Sequence, residues 1–338
     1  IEGEEGTRFE AHEENPGEYT AYDVALNDEV SYRLRISSGG EEYESDYRLP
    51  QSTPPIEEIS FELKDEGGPF QVRFSVRGEA DQSRHYLWSY EETWEIHSNQ
   101  VASHYFGVPF DPVPTVPTLP DRTYSFGDYI DSISDNDPDN NLQPLAFMTP
   151  PPYHYCWQYN KSKEILLADT EFVTENVLKD HVLYDIGLSD SRISYLYHTK
   201  VYLYSIGEDA YYYYTNQKKN TDETGSVFSP IPSEMQGNIV CTTSPEEPVI
   251  GFVEVSRRVE KETFLDPQES PYVTPYNYCE IAYNIERINE LGMWPYDFFL
   301  VTYDQTFNIT LMSQRRCVDC RQMGGVKVRP DWWPNDHY

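Results

Sequence analysis

The chain is short of positive charge and of long apolar runs. Its 338 residues include 25 Lys and Arg against 58 Asp and Glu, which leaves a formal net charge of −33. A surface this acidic repels phosphate groups, so nucleic acid and anionic lipid headgroups are disfavoured as partners. No apolar run is long enough to cross a bilayer as a helix. The acid excess by itself favours solubility and identifies no ligand.

The usual signatures of catalysis and nucleotide binding are also missing. There is no nucleophile-elbow pattern, no phosphate-binding loop and no dinucleotide fingerprint. His12-Glu13-Glu14 begins like a zinc-protease helix, but the second His is absent and Pro16 would break the helix. The eight His are scattered, which is typical of surface or hydrogen-bonded residues. A carboxylate pair for glycoside hydrolysis stays open, because the 58 acidic residues offer many pairings and none stands out.

Cysteine is scarce and odd in number, with five residues: Cys156, Cys241, Cys279, Cys317 and Cys320. Five thiols form at most two disulfides and leave one over. The close pair Cys317 and Cys320 could be a redox motif, half of a zinc site or part of a disulfide framework. No strand-to-helix turn or second close pair accompanies it, which favours disulfides in an oxidising compartment. We expect Cys317 or Cys320 to join a distant partner, preferably Cys279.

What the chain does contain favours β structure. It has 29 Tyr, 15 Phe and 6 Trp, and aromatic side chains suit half-buried strands. Residues 30–36 alternate between apolar and polar side chains, as a half-buried strand does. Turns at 15–17 and 39–40 bound its neighbours. We therefore expect residues 1–52 to form the later strands of a β-sandwich, followed by a larger β-rich domain over residues 53–338.

Periodicity predicts the main strands of that larger domain. Residues 59–63 and 70–76 predict a hairpin around a Gly-rich turn. An aromatic stripe at alternate positions from Tyr86 to Ile96 predicts a long strand. Such a stripe could stack on sugars or bases, but we expect it to be core. Residues 193–206 are apolar on both faces near their end and predict a central strand. Further short strands are expected at 156–157, 165–167 and 250–259.

Two segments predict helices. Ser205 and Glu208 have the spacing of a capping box, so a helix is expected from there to about Asn220. Apolar residues at helical spacing over 281–291, followed by Gly292, predict a second, short helix. The predicted fold class is therefore mainly β, with two or three short helices.

Residues 107–152 differ from the rest of the chain. They contain five prolines between Pro109 and Pro120 and end in Pro150-Pro151-Pro152. Such a segment favours extended, polyproline-like chain, and connections of this length are usually functional or mobile. We expect a surface excursion of the larger domain.

The excursion carries two candidate sites. Three alternating carboxylates, Asp135, Asp137 and Asp139, resemble a calcium loop, but the Gly and distal Glu of that motif are absent and Pro138 is foreign to it. No cofactor is therefore expected, with calcium at these three aspartates as the alternative. Ser132, within Asp-Ser-Ile, matches a short O-glycosylation pattern, and an exposed loop would make it accessible.

Seven ordered motifs together resemble one protein family. The chain resembles the Bacteroidota lipoproteins grouped as domain of unknown function 4249, and the resemblance extends over nearly all of its length. The motifs that carry the resemblance lie at residues 16–19, 32–36, 45–56, 92–95 with 156–157, 225–239, 241–252 and 317–333.

The resemblance implies a location and a partner. Members look like lipoproteins of the outer membrane, exposed on its extracellular face, and are commonly encoded beside TonB-dependent, SusC-like transporters. An immunoglobulin-like sandwich, here partial over residues 1–52, precedes a larger β-rich domain. Residues 1–6 read like a strand entering a turn, so we expect a missing upstream segment and, from the resemblance, an N-terminal lipid anchor on it. No catalytic residues are established for the family.

Two classes of function compete. The first is a non-enzymatic accessory subunit of an outer-membrane transporter or related complex, for substrate capture or structural support. The second is a secreted glycan- or peptide-hydrolase. The absence of a catalytic signature favours the first. Trp332 and Trp333 could bind a ligand, but burial near the disulfide region is expected for them.

Overall fold

The computed structural model describes residues 1–100, 104–106, 142–144, 154–223, 237–266, 281–282, 298–304 and 309–334. It is mainly β, with 44% strand and 11% helix, which confirms the predicted fold class. The strands are β1 (Glu2–Gly3), β2 (His12–Asn15), β3 (Glu18–Thr20), β4 (Tyr32–Arg33), β5 (Arg35–Ser38), β6 (Glu41–Ser45), β7 (Ile56–Leu63), β8 (Phe70–Arg77), β9 (His85–His97), β10 (His104–Phe106), β11 (Leu142–Pro144), β12 (Tyr155–Lys161), β13 (Leu166–Asp169), β14 (Val177–Ile186), β15 (Tyr197–Ile206), β16 (Ile239–Cys241), β17 (Val259–Leu265), β18 (Ile281–Ala282), β19 (Phe298–Asp304) and β20 (Ile309–Gln314). The helices are α1 (Glu208–Glu223) and α2 (Arg315–Val318), with 3-10 turns at Ser191–Ile193 and Cys320–Met323.

The strands form several small sheets. The largest has five strands in the order β12–β9–β15–β17, with β13 also paired to β9. Three-stranded sheets have the orders β14–β8–β7, β16–β6–β5 and β18–β20–β19. The pairs β1–β4, β2–β3 and β10–β11 complete the set for the described part of the chain. Strand β15 lies between β9 and β17, so the predicted central strand is confirmed.

The chain divides into two compact units. Unit 1 comprises Ile1–Glu92, Lys161–Ile186 and Thr199–Thr263, and unit 2 comprises Thr93–Asn160, Gly187–His198 and Phe264–Tyr338. Residues 1–52 lie inside unit 1 together with β7 and β8. The expected domain boundary between residues 52 and 53 stays a prediction.

The core of unit 1 is a sandwich of aromatic side chains. Phe74 of β8 meets Trp88 of β9 edge to face, with ring centroids 4.8 Å apart. Tyr90 of β9 stacks on Tyr184 of β14 at 4.1 Å. These contacts pack one sheet face on another, which is the arrangement that alternating strands favour. The prediction that the β9 stripe is core is therefore confirmed.

Most short-range predictions are also confirmed. The turns at 15–17 and 39–40 connect β2 to β3 and β5 to β6. The hairpin from residue 59 to 76 forms as β7 and β8, and strands occur at β12 and β13. Of the expected excursion over 107–152, residues 142–144 form β11, paired with β10. The remainder of that segment lies outside the described residues.

Three element predictions need correction. No strand covers residues 251–255, and β17 begins only at Val259. The strand predicted from residue 193 begins at Tyr197, because Asp190 caps a 3-10 turn at Ser191–Ile193. Residues 281–282, expected in a helix, are strand β18, and residues 283–297 lie outside the described residues.

Helix α1 forms where it was predicted, but with a different cap. Ser205 is buried inside β15 and does not cap the helix. The first helical bond instead runs from the Tyr211 amide to the Gly207 carbonyl, at 3.0 Å. The Gly207 amide is satisfied by the Glu254 carboxylate at 3.0 Å. The capping-box spacing therefore located the helix without identifying its cap.

Ion pairs hold strand β1, at the start of unit 1. Glu2 of β1 is buried and accepts hydrogen bonds from Arg33 at 2.6 Å and Arg8 at 2.7 Å. These bonds lower the pKa of Glu2 to about 2. β1 therefore carries a carboxylate that stays ionised across the physiological range.

Candidate functional site

A disulfide joins two distant segments of unit 2. Cys156 at the start of β12 is bonded to Cys320, 164 positions later in the chain. Cys320 therefore has a distant partner, as expected, and that partner is Cys156. Cys317 is disulfide-bonded as well, whereas its expected partner Cys279 lies outside the described residues. The leftover thiol belongs to Cys241, which is free and buried in unit 1.

Local contacts hold Cys320 in place. Asp319 caps the 3-10 turn by accepting the Arg321 amide, and its buried carboxylate also accepts two hydrogen bonds from the Arg321 guanidinium at 2.9 Å. Gly324 ends the turn at φ 86°, a left-handed conformation that suits glycine. A Cβ on the next residue, Gly325, would lie 2.5 Å from the Cys156 Cβ, so this position is restricted to glycine by close approach.

Beside the disulfide, unit 2 contains a polar group that we call the His154 cluster: Glu95, His97, Ser98 and His154. Glu95 and Ser98 are buried, and His154 is half-buried. The Glu95 carboxylate is hydrogen-bonded to the His97 ring and accepts the Trp333 indole N–H at 3.2 Å. The His97 and His154 rings lie 5.1 Å apart. A serine, two histidines and a carboxylate therefore meet at one place.

The hydrogen bonds of the His154 cluster oppose a catalytic role for its serine. The Ser98 hydroxyl donates to the Gln100 carbonyl at 2.7 Å. The 2.8 Å contact between Ser98 Oγ and His154 Nδ1 is then a bond that the ring donates. A nucleophilic serine needs the reverse polarity, with its proton directed to a basic ring nitrogen. Here the serine proton is held by the backbone.

The lowered pKa of His154 also opposes a catalytic role for the Ser98–His154 pair. Burial and the neighbouring His97 lower the pKa of His154 to about 4. The ring is therefore neutral at physiological pH and a weak base. Tyr195 stacks on His97 at 3.6 Å, and Tyr155 meets it edge to face at 4.7 Å. Two tyrosine rings thus pack against His97, at the centre of the cluster.

The sequence could not reveal this cluster. Glu95, His97 and Ser98 lie close together at the end of β9. Their partners are distant in sequence: His154 lies 56 residues after Ser98, and Trp333 lies 238 residues after Glu95. Alternation did place Glu95 on the face opposite the aromatic stripe. It gave no sign that this end of β9 is buried on both faces.

No metal site emerges from the part of the chain that the structure describes, since no group of three or more His, Cys, Asp and Glu there could hold an ion. Asp135, Asp137, Asp139 and Ser132, the candidate calcium ligands and glycosylation site, lie outside the described residues. Among the described residues, no helix has the length and apolarity needed to cross a membrane.

Unit 2 also carries an exposed apolar surface, the Trp332 patch. It consists of the exposed large apolar residues in the described part of unit 2: Tyr159, Phe264, Val326, Val328 and Trp332. The Tyr159 hydroxyl donates to the Val328 carbonyl at 3.3 Å, and Trp332 and Phe264 have ring centroids 6.2 Å apart. Val328 and Trp332, one from each pair, belong to the same segment of the chain.

The two tryptophans near the end of the chain behave differently. Trp333 is buried against Trp157 and Leu196, so its expected burial near the disulfide is confirmed. Trp332 remains 51% exposed, so the same expectation is wrong for it. Its ring rests on the rings of His198 at 4.4 Å and Trp333 at 5.5 Å.

The structure thus defines a mainly β protein of two units, with a disulfide, a partly buried polar cluster and exposed aromatic side chains. The model of one family, the domain of unknown function DUF4249, matches residues 1–262. The chain therefore belongs to this family, as the motifs indicated, although the match is shorter than the near-complete one expected. No curated protein and no solved structure matches the chain.

Proposed function

We propose that the protein is a non-enzymatic accessory subunit of an outer-membrane complex, exposed on the extracellular face and working with a TonB-dependent, SusC-like transporter. The lipid anchor that the family resemblance implies would hold it there. Its task would be substrate capture or structural support during nutrient uptake.

The observation that carries the proposal is the contrast between a partly buried polar cluster and exposed aromatic side chains. In the His154 cluster, Ser98 Oγ is bonded to a backbone carbonyl and His154 is a weak base. Both features suit structure better than proton transfer. The Trp332 patch, in contrast, presents large apolar side chains to solvent, as interaction surfaces do.

Confinement to the membrane plane makes such a role physically reasonable. Two proteins anchored in one membrane meet at a high effective concentration, which raises the occupancy of even weak contacts. A stable interface buries on the order of 1,200–2,000 Å² around an apolar or aromatic centre. The acidic surface elsewhere would keep the unbound protein soluble.

Affinity purification from native membranes in mild detergent tests the proposal, with a tag on the chromosomally encoded protein. We expect a SusC-like barrel in amounts comparable to those of the tagged chain. A tagged, unrelated lipoprotein of the same membrane is the control. Recovery of a monomer that hydrolyses a glycan or peptide by itself would contradict the proposal and support the hydrolase alternative.

A further inference from the structure

The β2–β3 hairpin stands apart from the other sheets of unit 1. Among the described strands, β2 and β3 pair only with each other, and every residue from Glu10 to Tyr19 is exposed. The turn at 15–17 is held, because the Gly17 amide donates to the Glu13 carboxylate at 2.9 Å. A two-stranded hairpin without further packing is only marginally stable in water. A surface that covers the hairpin would therefore stabilise it.

The hairpin presents two tyrosines, each beside a glutamate. Tyr19 of β3 and Tyr22, which lies just beyond β3, are both 63% exposed. Tyr19 lies directly opposite Glu13 in the register of the two strands, so their side chains are neighbours. The Tyr22 hydroxyl donates to the Glu14 carboxylate. The hairpin thus carries two exposed Tyr–Glu pairs.

Elsewhere in unit 1, the same pair of residue types binds an arginine. The Arg33 guanidinium lies 4.7 Å from the ring centroid of Tyr47 and is ion-paired with Glu44. A second guanidinium lies 4.9 Å from a tyrosine ring centroid and 3.3 Å from a carboxylate, in the group Arg258, Tyr202 and Glu260. A guanidinium suits such a pair, because its face stacks on an aromatic ring while its edge donates to a carboxylate.

The hairpin and its flanks supply no such cation themselves. Residues 9–32 contain no Lys or Arg, but they contain seven exposed carboxylates: Glu10, Glu13, Glu14, Glu18, Asp23, Asp28 and Glu29. Within the described part of the chain, Asp28 alone among the seven has an ion pair, with Arg257 at 2.5 Å. The two arginines that flank this stretch are both bonded to Glu2: Arg8 and Arg33. The two Tyr–Glu pairs therefore have the chemistry of an arginine site but no arginine from the described residues.

From these observations we infer that the β2–β3 hairpin docks on a partner protein that supplies arginine side chains to its two Tyr–Glu pairs. The inference deepens the proposed function and rests on it for the setting, an outer-membrane complex. A second copy of the chain is disfavoured as the partner, because two acidic hairpins would repel each other. Anionic lipid headgroups are disfavoured for the same reason.

Site-specific photo-crosslinking in native membranes tests the inference. The substitution Tyr19→p-benzoylphenylalanine places the probe on the hairpin, and Tyr212→p-benzoylphenylalanine is the control on α1, where the tyrosine is 51% exposed. We expect a protein crosslink from position 19 and none from position 212. The crosslinked site, located by mass spectrometry, should lie on a partner surface that carries arginine side chains.

Substitutions at Tyr19 separate arginine stacking from simple apolar contact. Tyr19→Leu keeps an apolar side chain but removes the ring, so it should weaken the association roughly fivefold. Tyr19→Phe keeps the ring face and should weaken the association by no more than about twofold. The matched control Tyr212→Leu on α1 should have no effect. Equal losses for the Leu and Phe variants would overturn the assignment of arginine.

A charge swap identifies the partner's arginine. Glu14→Arg should weaken the association roughly tenfold, and this effect should shrink at high salt because exposed charges are screened. Changing the arginine at the crosslinked site to Glu should restore binding of the Glu14→Arg variant. The matched control Glu66→Arg makes the same charge change at the exposed turn between β7 and β8 and should have no effect. An unchanged urea denaturation curve shows that each variant is folded.

Crosslinking to a second copy, to lipid, to glycan, to a protein surface without arginine or to nothing would overturn the inference. A transporter complex that survives both Tyr19→Leu and Glu14→Arg unchanged would also overturn it while leaving the proposed function intact. Conversely, a crosslink to an arginine-bearing protein that is not part of an outer-membrane complex would support the inference and contradict the proposed function.

Discussion

The two units of the chain are stabilised by different kinds of internal contact. Unit 1 joins its sheets through a set of packed aromatic rings, among them Phe74, Trp88 and Tyr184. Unit 2 surrounds Glu95 and His154 with hydrogen bonds and adds a disulfide between distant cysteines. The first kind follows from local alternation, whereas the second needs partners from far along the chain. The difference is therefore a covalent one: unit 2 contains a disulfide, whereas the one cysteine of unit 1, Cys241, is a free thiol.

The largest effect should come from removing the disulfide of unit 2. Replacing Cys156 and Cys320 together by Ala opens a loop of 164 positions, whose closure contributes about 5 kcal/mol in the chain-entropy model. We expect hydrogen exchange to accelerate in peptides from β12 much more than in peptides from β8 of unit 1.

Cys241→Ala is the matched control, since this buried thiol has no disulfide partner. It should cost about 1 kcal/mol. If both variants lowered protection equally in β12 and β8, the disulfide would not distinguish the units.

The next largest effect should come from the aromatic core of unit 1. Phe74→Ala removes a ring that is only 1% exposed, and such truncations cost about 3–5 kcal/mol. Urea denaturation should show the loss. Phe172→Ala makes the same change at a position that is 91% exposed and should alter the free energy of unfolding by less than about 0.5 kcal/mol. Equal effects would contradict the assignment of the core.

A smaller effect should appear as pH dependence in unit 2. The pKa of His154 is lowered from 6.5 to about 4, so the unfolded chain binds this proton first as pH falls. The free energy of unfolding should therefore decrease between pH 6.5 and pH 4, and stay unaffected by this group at higher pH. With allowance for partial exposure of the ring, the loss is about 2 kcal/mol.

His154→Gln should flatten this part of the profile, measured by urea denaturation at pH 7 and pH 4.5. His12→Gln, at an exposed position of β2, serves as the control and should leave the profile unchanged. A variant that lost stability equally at both pH values, with an unchanged slope, would show that His154 does not carry the proton.

The smallest effect concerns the start of α1. Asp209 accepts two hydrogen bonds from Arg48, which lower the pKa of its carboxyl, and it lies in the first helical turn. Asp209→Asn should cost about 1 kcal/mol, because it removes both the ion pair and a favourable charge at the helix N-terminus. Glu208→Gln, with the same charge change but no pairing with Arg48, should cost less in thermal denaturation. The reverse order would argue against the pair.

Sequence patterns predicted most of unit 1 and little of the candidate site. The turn at Gly39-Gly40, the β7–β8 hairpin and the aromatic stripe of β9 all follow from period-two alternation and turn chemistry, which act over a few residues. The strand expected at 250–259 is reduced to a single parallel bridge between Ser256 and Gln51, and regular strand begins only at Val259. Propensity alone does not decide strand pairing.

By itself, then, the sequence determined the mainly β class, the position of α1, the odd cysteine and the family. Only the tertiary structure decided that Cys156 is the partner of Cys320 and that Cys241 is the free thiol. It also decided that Trp333 is buried over Glu95 while its neighbour Trp332 faces solvent. The physical reason is range: alternation and capping depend on adjacent residues, whereas a disulfide, a buried carboxylate and an exposed ring depend on chain segments that meet only after folding.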